Sequence, residues 1–242
     1  MPLILPNAWD VASALAVERA GASAIATTSS GVAASLGYPD GEAIPVAEML
    51  AAIARIARAV SLPVTADMEA GYGLDAPDLV AGLLAAGAVG MNLEDTNRTD
   101  GPPGLVEADL QAGRLAAIRA AATDLGVPIV INARIDVFLR SNGSLDEAIR
   151  RGRAYIAAGA DCIFPILLAD EDAIHRMVRE VDGPVNVLLR AGTPSVERLA
   201  ELGVRRISVG GGLARHAMDD AEAVARRLLA GDASPLAELA EG

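Results

Sequence analysis

The sequence predicts one α/β domain folded as a (β/α)8 TIM barrel, on three observations. Its 242 residues are close to the roughly 250 of a single barrel of this kind. Short aliphatic runs alternate from end to end with longer Ala/Leu/Arg segments of helical period, as in a parallel sheet crossed by helices. Turns recur with strand parity. Ala-Gly-Ala at 20–22, 86–88 and 158–160 and Leu-Gly-Val at 202–204 lead into even strands, while Leu62-Pro63, Val127-Pro128 and Gly183-Pro184 open odd ones. That alternation suggests a unit of two strands and two helices, used four times.

The first strand is LILP (3–6), followed by SAIATT (23–28), PVTAD (63–67) and VGMNLE (89–94). PIVINA (128–133), DCIFPI (161–166), PVNVLL (184–189) and RRISVG (205–210) complete the eight. Each is short and rich in Val, Ile or Leu, suiting strands covered on both faces. A helical segment follows each one, and no linker or low-complexity stretch divides the chain. The closing AGDASPLAELAEG reads as a turn and a short terminal helix, so residues 1–242 form a single barrel domain with a helical tail.

Composition narrows the chemistry. Hydrophobic residues make up 52% but aromatic ones only 2%, which leaves little material for base-stacking platforms. A net charge of −12 opposes nucleic acid and anionic membranes as partners. No apolar run approaches the roughly 18 residues of a membrane span, and the N-terminus lacks the basic region of a signal peptide, so a cytoplasmic protein is expected. Cys162 is the only cysteine, which excludes a disulfide framework. All 20 basic residues are arginines, so lysine Schiff-base chemistry is excluded.

In a barrel, reacting groups sit at the C-terminal ends of strands. Asp67 and Glu69 follow the third strand and should point the same way if the extended backbone continues past 67. Glu94, ending the fourth strand, brings a third carboxylate. Three unpaired acids repel one another, and a hard cation, Mg²⁺ or Mn²⁺, resolves that; ion pairs with arginines or helix capping are the alternatives. Arg134, ending PIVINAR, offers a fork for a carboxylate or phosphonate, or else pairs with Asp136. TTSSGVAASLGYPDGE (27–42) is long for a strand-to-helix loop and can present hydroxyls and amides to an anion, with Asp40 turned toward the metal. SVGGGL (208–213) forms either a phosphate cradle or a tight turn. Cys162 reads as core and His175 as surface, and His216 in the last helix receives no role.

ATTSSGVAASLGYPDGE, VTADMEAGYG, MNLEDT and INARIDVFL, in this order, resemble the isocitrate lyase and phosphoenolpyruvate mutase superfamily over about residues 3 to 210. The resemblance implies Mg²⁺ held by Asp67, Glu69 and Glu94, several of them acting through water, with Asp40 approaching the same ion. It implies a substrate carboxylate or phosphonate bound by Thr28, Ser29 and Ser30 and by Arg134. It also implies homotetramers or dimers in which a C-terminal helix is exchanged between subunits.

Departures from the pattern limit the reaction. The lyases carry a Lys-Lys-Cys-Gly-His type motif in the loop after the fourth strand. Here that loop, EDTNRTDGPPGLVE (94–107), has no cysteine, histidine or lysine. Asp100 and Pro102 stand where the mutases place Lys and Asn, and Ile166 stands near the usual sixth-strand Glu or His.

The expectation is a Mg²⁺-dependent enzyme on a small 2-oxo or 2-hydroxy carboxylate, cleaving a C–C bond through a metal-stabilised enolate, with Asp40 and Arg134 as catalytic residues. Because the loop offers no proton donor, decarboxylation is favoured over lysis begun at a hydroxyl. The alternatives are P–C bond chemistry as a mutase or hydrolase on a phosphoenolpyruvate- or phosphonopyruvate-like substrate, and a catalytically silent ligand-binding barrel.

Overall fold

The computed structural model describes residues 1–98, 102–141 and 143–234. The chain opens with β1 (Leu3–Leu5) and β2 (Asn7–Ala8), two halves of one barrel strand divided at Pro6, which has no backbone N–H to give. Helix α1 (Val11–Arg19) starts at Asp10, whose side chain accepts from the Ser13 amide in a capping box. Then come β3 (Ile25–Thr27), the short α2 (Ser29–Ser35), α3 (Val46–Ala59), β4 (Val64–Asp67), α4 (Ala76–Ala85) and β5 (Gly90–Glu94). A two-stranded arm, β6 (Thr96–Asn97) against β7 (Gly104–Leu105), precedes α5 (Ala108–Asp124). The second half holds β8 (Val130–Ile135), the short α6 (Val137–Arg140), α7 (Leu145–Ala157), β9 (Cys162–Pro165), α8 (Glu171–Glu180), β10 (Asn186–Leu188), α9 (Val196–Glu201), β11 (Arg206–Ser208) and α10 (Gly212–Leu229).

All eight predicted strands are present and parallel. One ladder runs β2-β3-β4-β5-β8-β9, another runs β1-β11-β10, and a bridge between Ile163 and Val185 joins them. The register sets Asp67 beside Asn92, Asn92 beside Asn132, and Glu94 beside Arg134. The upper ends of three adjacent strands therefore meet at one place on the mouth.

Strand alternation divides the core in two. Met91, Ile131, Ile163 and Ile207 face outward and pack with helix residues such as Leu79, Leu115, Ile118 and Ile149. The inward set includes a polar network: Asn132 Nδ2 donates to Asn92 Oδ1 at 2.7 Å, Arg206 Nη2 donates to the same oxygen at 3.3 Å, and Asn186 pairs with Ser208.

The repeated glycine turns close helices. Gly21, at φ 89°, follows the C-cap of α1, and Gly87 and Gly159 follow α4 and α7 in the same left-handed conformation. Strict parity fails at one place. Gly126, at φ 69°, closes α5 in the same way ahead of an odd strand, because any helix that must reverse sharply needs this residue.

Helix α7 lies close against β9 at Gly152. A methyl there would lie 2.8 Å from Ile163 Cδ1 and 2.9 Å from Val181 Cγ2. Gly152→Ala is expected to lower stability by about 1–3 kcal/mol through overpacking, despite the better helix propensity of alanine. Urea unfolding followed by circular dichroism measures this, and an unchanged midpoint would contradict it.

Candidate active site

Asp67 is the last residue of β4, its amide donating to Thr27 Oγ1 at 2.9 Å. Its Oδ2 accepts from the Ser29 amide at 3.0 Å, at the start of α2, and Oδ1 accepts no hydrogen bond from the described residues. The extended backbone does not continue beyond it. Glu69 has φ 48°, so strand alternation is not what orients its side chain. A tight turn through Met68 and Gly71 carries Glu69 back over the mouth instead, where it is buried. Glu69 Oε1 accepts from Tyr72 Oη at 2.7 Å, and Oε2 accepts from the Glu42 amide at 2.8 Å. Glu42 Oε1 accepts in turn from the Tyr72 amide at 2.6 Å, tying the loop after α2 to the loop after β4.

Glu94 ends β5, and its side chain is also buried. Arg134 Nη1 lies 2.6 Å from Glu94 Oε2, and Arg98 Nη2 lies 2.5 Å from Oε1. The Arg134 fork also grips Asp136, Nε to Oδ1 at 2.6 Å and Nη2 to Oδ2 at 3.0 Å. The Arg134–Asp136 pair weighed from sequence is thus present, and it fixes the plane of the guanidinium while leaving it next to Glu94 and within the field of Asp67.

Burial pushes the Glu69 carboxyl up to about 7, opposed by the hydrogen bond from Tyr72 and reinforced by the charges of Asp67 and Asp40. Burial also raises Glu94 to about 7, against the pull of Arg134. Asp40 itself is exposed, its charge felt at Glu69.

The other candidate residues fall around this cluster. Thr28 and Ser29 are buried, and Thr28 Oγ1 lies 3.1 Å from Ser30 Oγ. Gly211 faces Ser30 so closely that a methyl on it would come within 2.6 Å of Ser30 Oγ. The amides of Val209 and Gly210 both donate to Asn7 Oδ1 at 2.9 Å, so that part of SVGGGL is a turn and is not free to cradle a phosphate. Cys162 is a buried free thiol, and His175 and His216 are exposed on α8 and α10, as the sequence suggested for the first two. Asp100 and part of the terminal tail lie outside the described residues.

Sequence reasoning missed Arg98, Glu42 and Tyr72. Tyr72 and Glu42 were visible only as neighbours of the glycine turns. Arg98 had a signal: it is the one basic residue of the 94–107 loop, four residues after Glu94. Arg98 Nη2 also lies 3.6 Å from Glu69 Oε2, so a guanidinium bridges two of the three acids expected to take a metal.

The donors suit a hard ion, being carboxylates with no thiolate or imidazole among them. Among the described residues, however, no three acids, histidines or cysteines are arranged to ligate an ion directly. Direct ligation by all three of Asp67, Glu69 and Glu94 is therefore not arranged, and the resemblance itself has several of them acting through water. The fit is to Mg²⁺ held by one or two carboxylates with water completing the shell, and Asp67 Oδ1 is the oxygen free to take part.

Acids and arginines gathered at the C-terminal mouth of a parallel barrel stand where barrel enzymes carry their reacting groups, and comparison with known proteins shows the family. Residues 1–229 match the phosphoenolpyruvate phosphomutase family, and the chain belongs to that family, within the isocitrate lyase/PEP mutase superfamily. It is 37% identical to an uncharacterised protein of Mycobacterium tuberculosis over 87% of this chain and 78% of that one. It is 34% identical to the oxaloacetate decarboxylase of Ectopseudomonas mendocina, over 72% of this chain and 61% of the relative. Among solved structures, phosphonopyruvate hydrolase in complex with oxalate and Mg²⁺ superposes with a TM-score of 0.84 at 28% identity, over 96% of this chain and 83% of that one. No helix among the described residues is long and apolar enough to cross a membrane.

Proposed function

We propose that this protein is a Mg²⁺-dependent enzyme that cleaves a C–C bond in a small 2-oxo carboxylate, with oxaloacetate decarboxylation as the leading reaction. The observation that carries the proposal is the pair of buried carboxylates, Glu69 and Glu94, both raised to about 7, beside Asp67 at the barrel mouth. Such a site holds more negative charge than its arginines neutralise, which favours a divalent ion and the anion it brings with it. When bound, the ion would supply Lewis-acid polarisation of the 2-oxo and carboxylate oxygens, favouring the enolate that departure of CO₂ leaves behind.

The chain's own groups do the rest. Arg134, held flat by Asp136, presents positive charge toward the mouth and fixes a substrate carboxylate. Thr28, Ser29 and Ser30 line the opposite side, where hydroxyls orient the same anion. Tyr72 and the Glu42 amide hold Glu69 in place while the site fills. Asp40, exposed at the open edge, is the acid that would pass a proton from solvent to the carbon CO₂ has left, completing the 2-oxo acid product. Loss of CO₂ needs no base to remove a hydroxyl proton, which suits a 94–107 loop without cysteine, histidine or lysine.

A second reading, P–C bond chemistry on a phosphonopyruvate-like substrate, is supported by the likeness to phosphonopyruvate hydrolase. Exchange of the C-terminal helix with a second copy is supported by α10, in which Ala214 alone is buried while Met218, Leu228 and Leu229 are exposed. A cytoplasmic location is proposed with it.

The test is turnover of oxaloacetate with Mg²⁺, followed by loss of its enol absorbance, alongside phosphonopyruvate with a phosphate assay. Oxaloacetate is expected to be consumed, and Asp67→Asn to lose about a hundredfold or more in kcat. Turnover of phosphonopyruvate alone would move the assignment to the second reading. Binding without turnover of either would leave a silent barrel.

A further inference from the structure

Arg98 follows β6 directly and reaches into the gap between the two buried glutamates. Its Nη2 is 2.5 Å from Glu94 Oε1 and 3.6 Å from Glu69 Oε2, and its Nε donates to Glu94 Oε1 at 3.2 Å. The loop after α2 closes over it: a methyl on Gly41 would stand 2.8 Å from Arg98 Nη1. The Arg98 side chain is largely buried, at 17% exposure, although it belongs to a surface arm. A guanidinium therefore fills the position from which one cation can neutralise Glu69 and Glu94 together.

From this geometry we infer that Arg98 is a tethered cation that competes with the divalent ion for the mouth of the barrel, and that it must withdraw before the ion can bind. The inference rests on the ion dependence proposed above. An ion entering between Glu69 and Glu94 meets positive charge at close range, so ion binding and the Arg98 contact exclude each other. Measured affinity then equals the intrinsic affinity reduced by the fraction of molecules whose Arg98 is withdrawn. Asp67 stays outside the competition, because no arginine pairs with it among the described residues.

The test is Mn²⁺ binding, read by the loss of the free-ion electron paramagnetic resonance signal and by Mg²⁺ calorimetry, in the full chain at pH 8 without substrate. Arg98→Gln keeps length and hydrogen-bonding capacity but not charge, and is expected to bind Mn²⁺ at least about tenfold more tightly than wild type. Arg98→Lys keeps the charge and is expected to bind more weakly than Arg98→Gln. Folding of each variant is checked by circular dichroism, and Arg98→Met, which also removes the charge, takes the place of Arg98→Gln if that variant does not fold. Equal affinity in the variants and wild type, or weaker binding in Arg98→Gln, overturns the role of Arg98 while leaving the ion site standing. No binding by wild type or by either variant overturns the ion reading and this inference with it.

Discussion

Arg151→Met is expected to lower stability by about 3–5 kcal/mol at pH 8, the largest effect of any single change away from the mouth. Arg151 Nη1 lies 2.9 Å from Asp95 Oδ2, donates to the Val106 carbonyl at 2.8 Å and lies 3.1 Å from Tyr155 Oη, while its Nε reaches Glu147 at 2.7 Å. Asp95 is fully buried, and Tyr155 Oη donates to it at 2.7 Å. Methionine preserves the packing of the stem but leaves that carboxylate without its cation. Burial already holds the Asp95 carboxyl above the ordinary range, and loss of Arg151 raises it further. A carboxyl raised in the folded state contributes stability at low pH that is lost as pH rises through its folded value. The penalty of Arg151→Met should therefore shrink toward pH 5. Asp95→Asn combined with Arg151→Met should recover part of the loss, since no buried charge remains unpaired. Urea unfolding of wild type and these two variants at pH 5 and pH 8 measures this. A loss below about 1 kcal/mol at pH 8 would show that Asp95 does not depend on Arg151.

This network also bears on the mouth. Asp95 Oδ1 accepts from the Asp136 amide at 2.8 Å, and Asp136 holds both the Arg134 fork and the Thr96 hydroxyl at the base of the arm. Arg151 thus anchors, through two carboxylates, the strand end that carries Arg134 and the arm that carries Arg98. Tyr155→Phe, which removes both the hydrogen bond given to Asp95 and the one accepted from Arg151, is expected to cost about 1.5–3 kcal/mol while leaving the fold intact.

The barrel was legible because its signals are local. Aliphatic runs and the glycine turns after helices each act within a few residues, and each agreed with the fold. Strand ends were also legible, which is why Asp67, Glu94 and Arg134 stand at the mouth. The orientation of Glu69 was not, since alternation holds only while the backbone stays extended and the strand stops at Asp67. Arg98 was missed for a related reason. Whether an arginine on an arm turns to solvent or into an acid pair depends on a long-range closure, here between Gly41 and residues 94–98, and no periodicity reports that. The polar barrel interior was not foreseen as a network either, because the pairing of Asn92 with Asn132 and Arg206 depends on sheet register rather than on composition.

In the absence of divalent ion, stability should fall as pH rises from about 4.5 to above 7, and added Mg²⁺ should restore it most at the upper end. Glu69 and Glu94 each move from an ordinary value of 4.5 to about 7, burial being the main cause for both. The folded state therefore binds protons more tightly than the unfolded chain, and the stability this gives is complete below about 4.5 and lost through about 7. For one carboxylate displaced this far the effect is on the order of 3 kcal/mol. The two together give less than twice that, because they share Arg98. Mg²⁺ binds the ionised forms, so it competes with protons and should raise Tm far more at pH 8 than at pH 5.5. At about a hundredfold excess over Kd the stabilisation approaches 2.7 kcal/mol, or roughly 5–10 °C for a domain of this size. Glu94→Gln isolates one of the two groups and should flatten the ion-free pH profile by about half, whether or not Mg²⁺ binds. Thermal unfolding of wild type and Glu94→Gln at half-unit pH steps, with EDTA and with 10 mM MgCl₂ (roughly a saturating dose for a site of micromolar to sub-millimolar affinity), reads both effects. A profile in EDTA that is flat between pH 5 and 8 would show that the buried glutamates are already neutralised by Arg98 and Arg134. A Mg²⁺ shift of the same size at pH 5.5 and 8 would place the ion away from Glu69 and Glu94.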